Sequence, residues 1–95
     1  MKALVLSPAA EADLADIWDY SAVHWGPDQA DRYIDEIRDA CRALALRAKW
    51  GRAVEVRPGH LKLATGSHMI YFRESDDMID VVRVLHVRQD TERHL

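Results

Sequence analysis

The run RVLHVRQD, residues 83–90, carries Arg83, His86 and Arg88 near the end of a 95-residue chain. Histidine titrates near neutral pH and can serve as general acid or base. Cleaving a phosphodiester would also need cations to hold the phosphate and the extra charge of its transition state. Arg88, Arg73 and Lys62 would supply them if neighbouring strands bring them to His86. Read that way, the run is a nucleolytic centre. Read plainly, it is a strand with a structural histidine at its end. The residue types alone leave both open.

Other catalytic templates fit less well. Gly26, Gly51, Gly59 and Gly66 are widely spaced and each suits a turn, so no glycine-rich phosphate loop is present. The five histidines show no metal-ligand spacing. Cys41 is the only cysteine, which excludes an internal disulfide and fits a reducing compartment. It falls on the apolar stripe of a helix, so a buried thiol is expected rather than a nucleophile. Asp76 and Asp77 are adjacent in a turn, a poor geometry for an acid–base pair. No catalytic residue, metal or cofactor is assigned on this basis. No apolar run approaches the ~20 residues that span a bilayer, and MKALVLSPAAEADL lacks the form of a signal peptide. The expectation is a cytoplasmic protein with no membrane contact.

The net charge of −3 argues against stable direct binding to nucleic acid, but its distribution is uneven. Residues 1–40 hold nine acids and three bases. Residues 41–73 hold seven bases, Arg57, Lys62 and Arg73 among them, against Glu55 alone. Residues 74–95 turn acidic again. A basic segment inside an acidic protein is either a solvated face or a docking surface for an acidic partner.

The elements that must position these side chains read as follows. Residues 2–6 form a short strand. Ser7 and Pro8 then begin a helix, the serine as cap and the proline at the first helical position, where its missing N–H costs nothing. Leu14, Ile17, Trp18, Ser21 and Trp25 keep helical spacing, and Gly26 stops the helix. A second helix starts at Pro27, with an apolar stripe running from Ala30 to Ala48 and Gly51 as its stop. So short a link implies an antiparallel hairpin, with Trp18 and Tyr33 in its core. Trp25 and Trp50 are either core residues or anchors on exposed rims. Strands follow at 60–65, 68–73 and 78–87, and DTERHL reads as a last helical turn with Asp90 as its cap.

The order is β-α-α-β-β-β, an α+β fold in one domain over residues 1–95. The N-terminal strand joins a small, mainly antiparallel, twisted sheet, and the helical hairpin covers one face. Unbroken alternation along the last strand would put Ile79, Val81, Arg83, Leu85 and Val87 under the helices. Asp80, Val82, Val84, His86 and Arg88 would face outward. Arg83 would then need a carboxylate such as Asp16 or Asp19.

Taken together, SPAAEADLADIWDYSAVHWGPDQADRYIDEI resembles the opening hairpin of the ParE-type toxins of type II toxin–antitoxin modules. RPGHLKLATGSHMIYFRESDDMIDVVRVLHVRQDTERHL resembles the rest of that family, most specifically in SHMIYFR and VVRVLHVRQD. The resemblance runs from Leu4 to Leu95, with KWGRAVEV only loosely matched. It implies the RelE-like fold and a protein that is not an enzyme but poisons DNA gyrase and blocks replication. It also implies a ParD-type antitoxin that holds the toxin silent in a tight complex. The alternative within the superfamily is a RelE-like, ribosome-dependent mRNA endonuclease, whose sites resemble a basic cluster with a late tyrosine or histidine. Here no tyrosine follows Arg83. The expected partner-binding residues are Arg57, Lys62, Arg73, His86 and Arg88, with RVLHVRQD building the fold and feeding a partner-facing surface.

Overall fold

Ser7 ends the first strand and begins the first helix. In the computed structural model, which describes residues 1–89 and 94–95, its hydroxyl accepts from the Ala10 N–H at 3.0 Å and donates to the Val82 carbonyl at 2.7 Å. One side chain thus caps α1 (Pro8–Trp25) and ties β1 (Ala3–Leu6) to the last strand. Gly26 separates α1 from α2 (Pro27–Ala45), and the two helices pack as the expected hairpin. Four strands follow: β2 (Arg52–Ala53), β3 (Leu61–Thr65), β4 (His68–Glu74) and β5 (Met78–His86). The sheet order is β1-β5-β4-β3-β2, with β1 parallel to β5 and every other pairing antiparallel. This is the expected α+β order with one addition, the two-residue strand β2 at the edge.

The helices cover one face of the sheet. Leu14, Ile17, Ile37 and Leu44 from the hairpin meet Ile70, Phe72, Ile79, Val81 and Val84 in one buried cluster. A smaller cluster on the opposite face joins Val54, Tyr71 and Leu85, with Met69 and Leu95 beside it. Cys41 is buried in the main core, as its place on the stripe implies, and burial pushes its thiol up to about 11. The proposed cap at Asp90 lies outside the described residues.

Three sequence expectations are corrected. The apolar stripe of α2 continues to Ala48, but the helix ends at Ala45. Arg47 turns left-handed (φ 61°), and the Ala43 carbonyl accepts from the N–H groups of both Ala48 and Lys49. Gly51 is therefore no helix stop. It is a close approach: a Cβ there would lie 2.5 Å from the Phe72 ring.

Trp18 and Tyr33 are not core residues either. Both are half-buried. The Trp18 indole N–H donates to Asp31 at 2.8 Å, tying the two helices together at their surface. Tyr33 packs against the core with its ring while its hydroxyl reaches the β3–β4 turn, accepting from the Ser67 N–H at 3.0 Å.

The third correction concerns β5. Phe72 sits opposite Val81, yet Tyr71 sits opposite Arg83, so Val82 has no partner on β4. This bulge inserts one residue and reverses the alternation beyond it. Ile79 and Val81 face the helices as expected. Past the bulge it is Val84 and His86 that do so, while Leu85 joins the opposite-face cluster. Arg83 does meet a carboxylate, but that of Asp13 rather than Asp16 or Asp19, with Nε and Nη2 each 2.8 Å from one of its oxygens.

Candidate functional site

The parity reversal at Val82 brings His86 to a cavity of about 590 Å³ between the hairpin and one end of the sheet. Each wall comes from a different element. α1 contributes Asp16, Tyr20, Ser21 and its last residue, Trp25. Tyr33 stands on α2, and His68 and His86 are cross-strand partners on β4 and β5. The His68 and His86 rings meet edge to face with centroids 5.4 Å apart.

Hydrogen bonds hold this end of the sheet in place. The Tyr33 hydroxyl and His68 Nδ1 are 2.6 Å apart. The His86 Nδ1 accepts from the Arg88 N–H at 3.2 Å, so the neutral His86 ring carries its proton on Nε2. Gln89 folds back to accept from the His86 N–H at 2.6 Å. Burial holds the His68 imidazole below its ordinary range, His86 adds to the effect and Asp13 opposes it. Burial likewise raises the Tyr33 phenol, against the Ser67 N–H bond that lowers it.

The His68 shift carries a sign for stability. Its folded-state pKa is depressed, so the unfolded chain binds this proton more readily. Stability is full above the ordinary imidazole pKa of ~6.5 and falls as pH drops below it. Urea midpoints measured from pH 7.5 to 5.5 should therefore decline, and His68→Asn should make the decline shallower. An equal slope in the two proteins would remove His68 as the cause.

Gly66 lets the β3–β4 turn rest on Tyr33. Its φ is 56°, and a Cβ there would come within 2.7 Å of the Tyr33 ring and hydroxyl. Gly66→Ala is expected to cost about 1–3 kcal/mol, from left-handed strain and displacement of a bonded ring. A melting temperature unchanged by that substitution would mean that Tyr33 moves freely.

The five partner-binding residues expected from sequence do not form one surface. Lys62 lies opposite Tyr71 on one side and Arg52 on the other, which places it on the sheet face away from the helices. Arg73 stands on the same face of β4, its guanidinium 3.9 Å from where a Cβ on Gly59 would be, so it borders the loop that holds Arg57. Arg57, Lys62 and Arg73 thus gather at one end. His86 and Arg88 lie at the other, opposite His68, five residues from Arg73 along β4 and roughly 17 Å away. Arg57, Lys62, Arg73 and Arg88 form no ion pair among the described residues. Three residues of the cavity, Asp16, Tyr20 and His68, carry no motif that marks them in the sequence. Only the fold brings them together.

A helical hairpin laid on one face of this mixed sheet is the RelE-like fold. The RelBE2 toxin–antitoxin complex of Mycobacterium tuberculosis shows the same fold, with a TM-score of 0.56 at 18% identity over 90% of this chain and 96% of that one. The model for the ParE toxin of the type II toxin–antitoxin system parDE matches residues 4–91, and the chain belongs to that family. Toxin ParE1 of Mycobacterium tuberculosis is 47% identical over 93 residues, 96% of this chain and 95% of that protein. A chain from a chromosomal ParDE TA system of P. aeruginosa superposes with a TM-score of 0.79 at 27% identity, covering 93% of this chain and 98% of that one.

Proposed function

We propose that this ParE toxin acts by binding rather than by chemistry: it poisons DNA gyrase, blocks replication and is silenced by a cognate ParD-type antitoxin. A protein that stabilises a wrong state of another enzyme needs only to bind that state more tightly than its competitors. The observation that carries this reading is the setting of His86. Among the described residues its cavity is lined by Asp16 and by no lysine or arginine. A phosphodiester would meet a carboxylate there, and no described lining residue supplies the cations its transition state requires. The unpaired cations Arg57, Lys62 and Arg73 lie far from it and suit contact with an acidic surface.

Membership of a family defined by parDE supports an antitoxin partner, and the ParDE and RelBE2 relatives come from such two-component systems. No helix among the described residues is long and apolar enough to cross a membrane, in keeping with action on a cytoplasmic enzyme. The deciding experiment is a supercoiling assay with purified toxin, gyrase, plasmid and ATP. Accumulation of linear DNA, relieved by the antitoxin, is expected. Unaffected supercoiling at micromolar toxin, together with cleavage of mRNA on ribosomes, would replace this reading with the endonuclease one.

A further inference from the structure

We propose that the cavity between the hairpin and the β4–β5 end receives an arginine side chain presented by a partner protein. Three observations select that occupant. The first is charge. Asp16 lines the cavity and its carboxylate makes no hydrogen bond or ion pair among the described residues. Residues 7–40, which span α1, the link and most of α2, carry nine acids against Arg32 and Arg38, and although Glu11, Asp13 and Asp39 are paired with arginines the balance of the hairpin favours cations. The second is the aromatic rim. Tyr20 and Trp25 are 58% and 64% exposed and meet edge to face with centroids 6.0 Å apart, while His24 stacks on one face of Tyr20 at 4.0 Å. Large aromatics left in water at a cavity mouth offer ring faces that attract cations. The third is depth. The cavity lies within the usual range for ligand sites of ~300–1,000 Å³, so a guanidinium can enter with part of the segment that bears it.

Other occupants fit less well. An apolar side chain would desolvate the Asp16 carboxylate without pairing it. A nucleotide phosphate would be repelled by that carboxylate and find no cation among the described residues of the wall. Arginine is preferred to lysine because its planar, weakly hydrated head stacks on aromatic rings and pairs with a carboxylate through two N–H groups. The proposal does not depend on gyrase being the target, and its test contains no gyrase.

The test uses the full chain and N-acetyl-arginine amide as probe, followed by ¹H–¹⁵N NMR at millimolar concentration. Saturable shifts are expected at the Trp25 indole and at the amides of Asp16, Ser67 and His86. N-acetyl-lysine amide should bind more weakly. Asp16→Asn, which keeps the shape and removes the charge, should weaken arginine binding about fivefold, the scale of a partly exposed ion pair. The proposal is overturned if N-acetyl-leucine amide or uridine monophosphate shifts the same residues as strongly. It is also overturned if the arginine shifts spread over the hairpin without saturating, or if Asp16→Asn binds as the parent does.

Discussion

Asp13→Ala is expected to lower the melting temperature by about 10–20 °C, the equivalent of about 2–4 kcal/mol in a domain of this size. Asp13 stands where β1 ends. β1 pairs with β5 only as far as Leu6 opposite Val81, and beyond that point this edge of β5 has no neighbouring strand. Two side chains do what a longer β1 would have done. Ser7 donates to the Val82 carbonyl, and the Asp13 carboxylate accepts from the Val84 N–H at 2.9 Å.

The same carboxylate holds the guanidinium of Arg83, whose remaining nitrogen donates to the His94 carbonyl at 2.8 Å. Arg83 and Asp13 keep 26% and 12% of their side-chain surface, too little for solvent to replace what is lost. Removing Asp13 leaves a half-buried cation without its anion and an N–H without an acceptor, the costly direction of change. Hydrogen bonding to Asp13 is also the main cause that raises the Arg83 pKa, and burial opposes it. Asp13→Asn keeps an acceptor for Val84 and should fall between parent and alanine variant. Chemical denaturation decides the matter: a loss under about 1 kcal/mol would place the pair with ordinary surface salt bridges.

The fold was legible where the physics is local. Ser7-Pro8 and the periodic stripe of α2 mark their elements through capping and helical spacing, and the strands announce themselves by alternation. What could not be read depends on contacts distant in sequence. Nothing within DVVRVLH says that Val82 will bulge, yet that one residue decides which face His86 joins. The choice of Asp13 over Asp16 and Asp19 depends on how α1 is rotated against an edge left open by a short β1. Tyr33, His68 and His86 are 35 and 18 residues apart along the chain, and no spacing rule links them. The family resemblance reached further than the residue patterns did, because it carries the pairing of distant strands with it. It did not carry the division of the cations, which follows from register: Lys62 opposite Tyr71, His86 opposite His68.

That division turns the partner-surface idea into a sharper expectation. Reversing Lys62 and Arg73 together to glutamate should abolish toxicity, a loss of at least about 100-fold in gyrase inhibition if each contact is worth about 1.4 kcal/mol or more. Lys62 is half-buried, Arg73 is exposed, and neither forms an ion pair among the described residues. The double variant should therefore melt within a few degrees of the parent. Its loss should appear mainly in the association rate and shrink at high salt, because exposed charges steer encounter more than they hold a complex. His86→Ala is the matched control from the other end of the sheet. A binding toxin should tolerate it far better than the double reversal, whereas an endonuclease using His86 should lose roughly 10²–10⁴-fold. If the ranks are inverted, with Lys62→Glu/Arg73→Glu fully toxic and His86→Ala silent, the basic end is not the working surface. The histidine cavity would then be the place where this toxin acts.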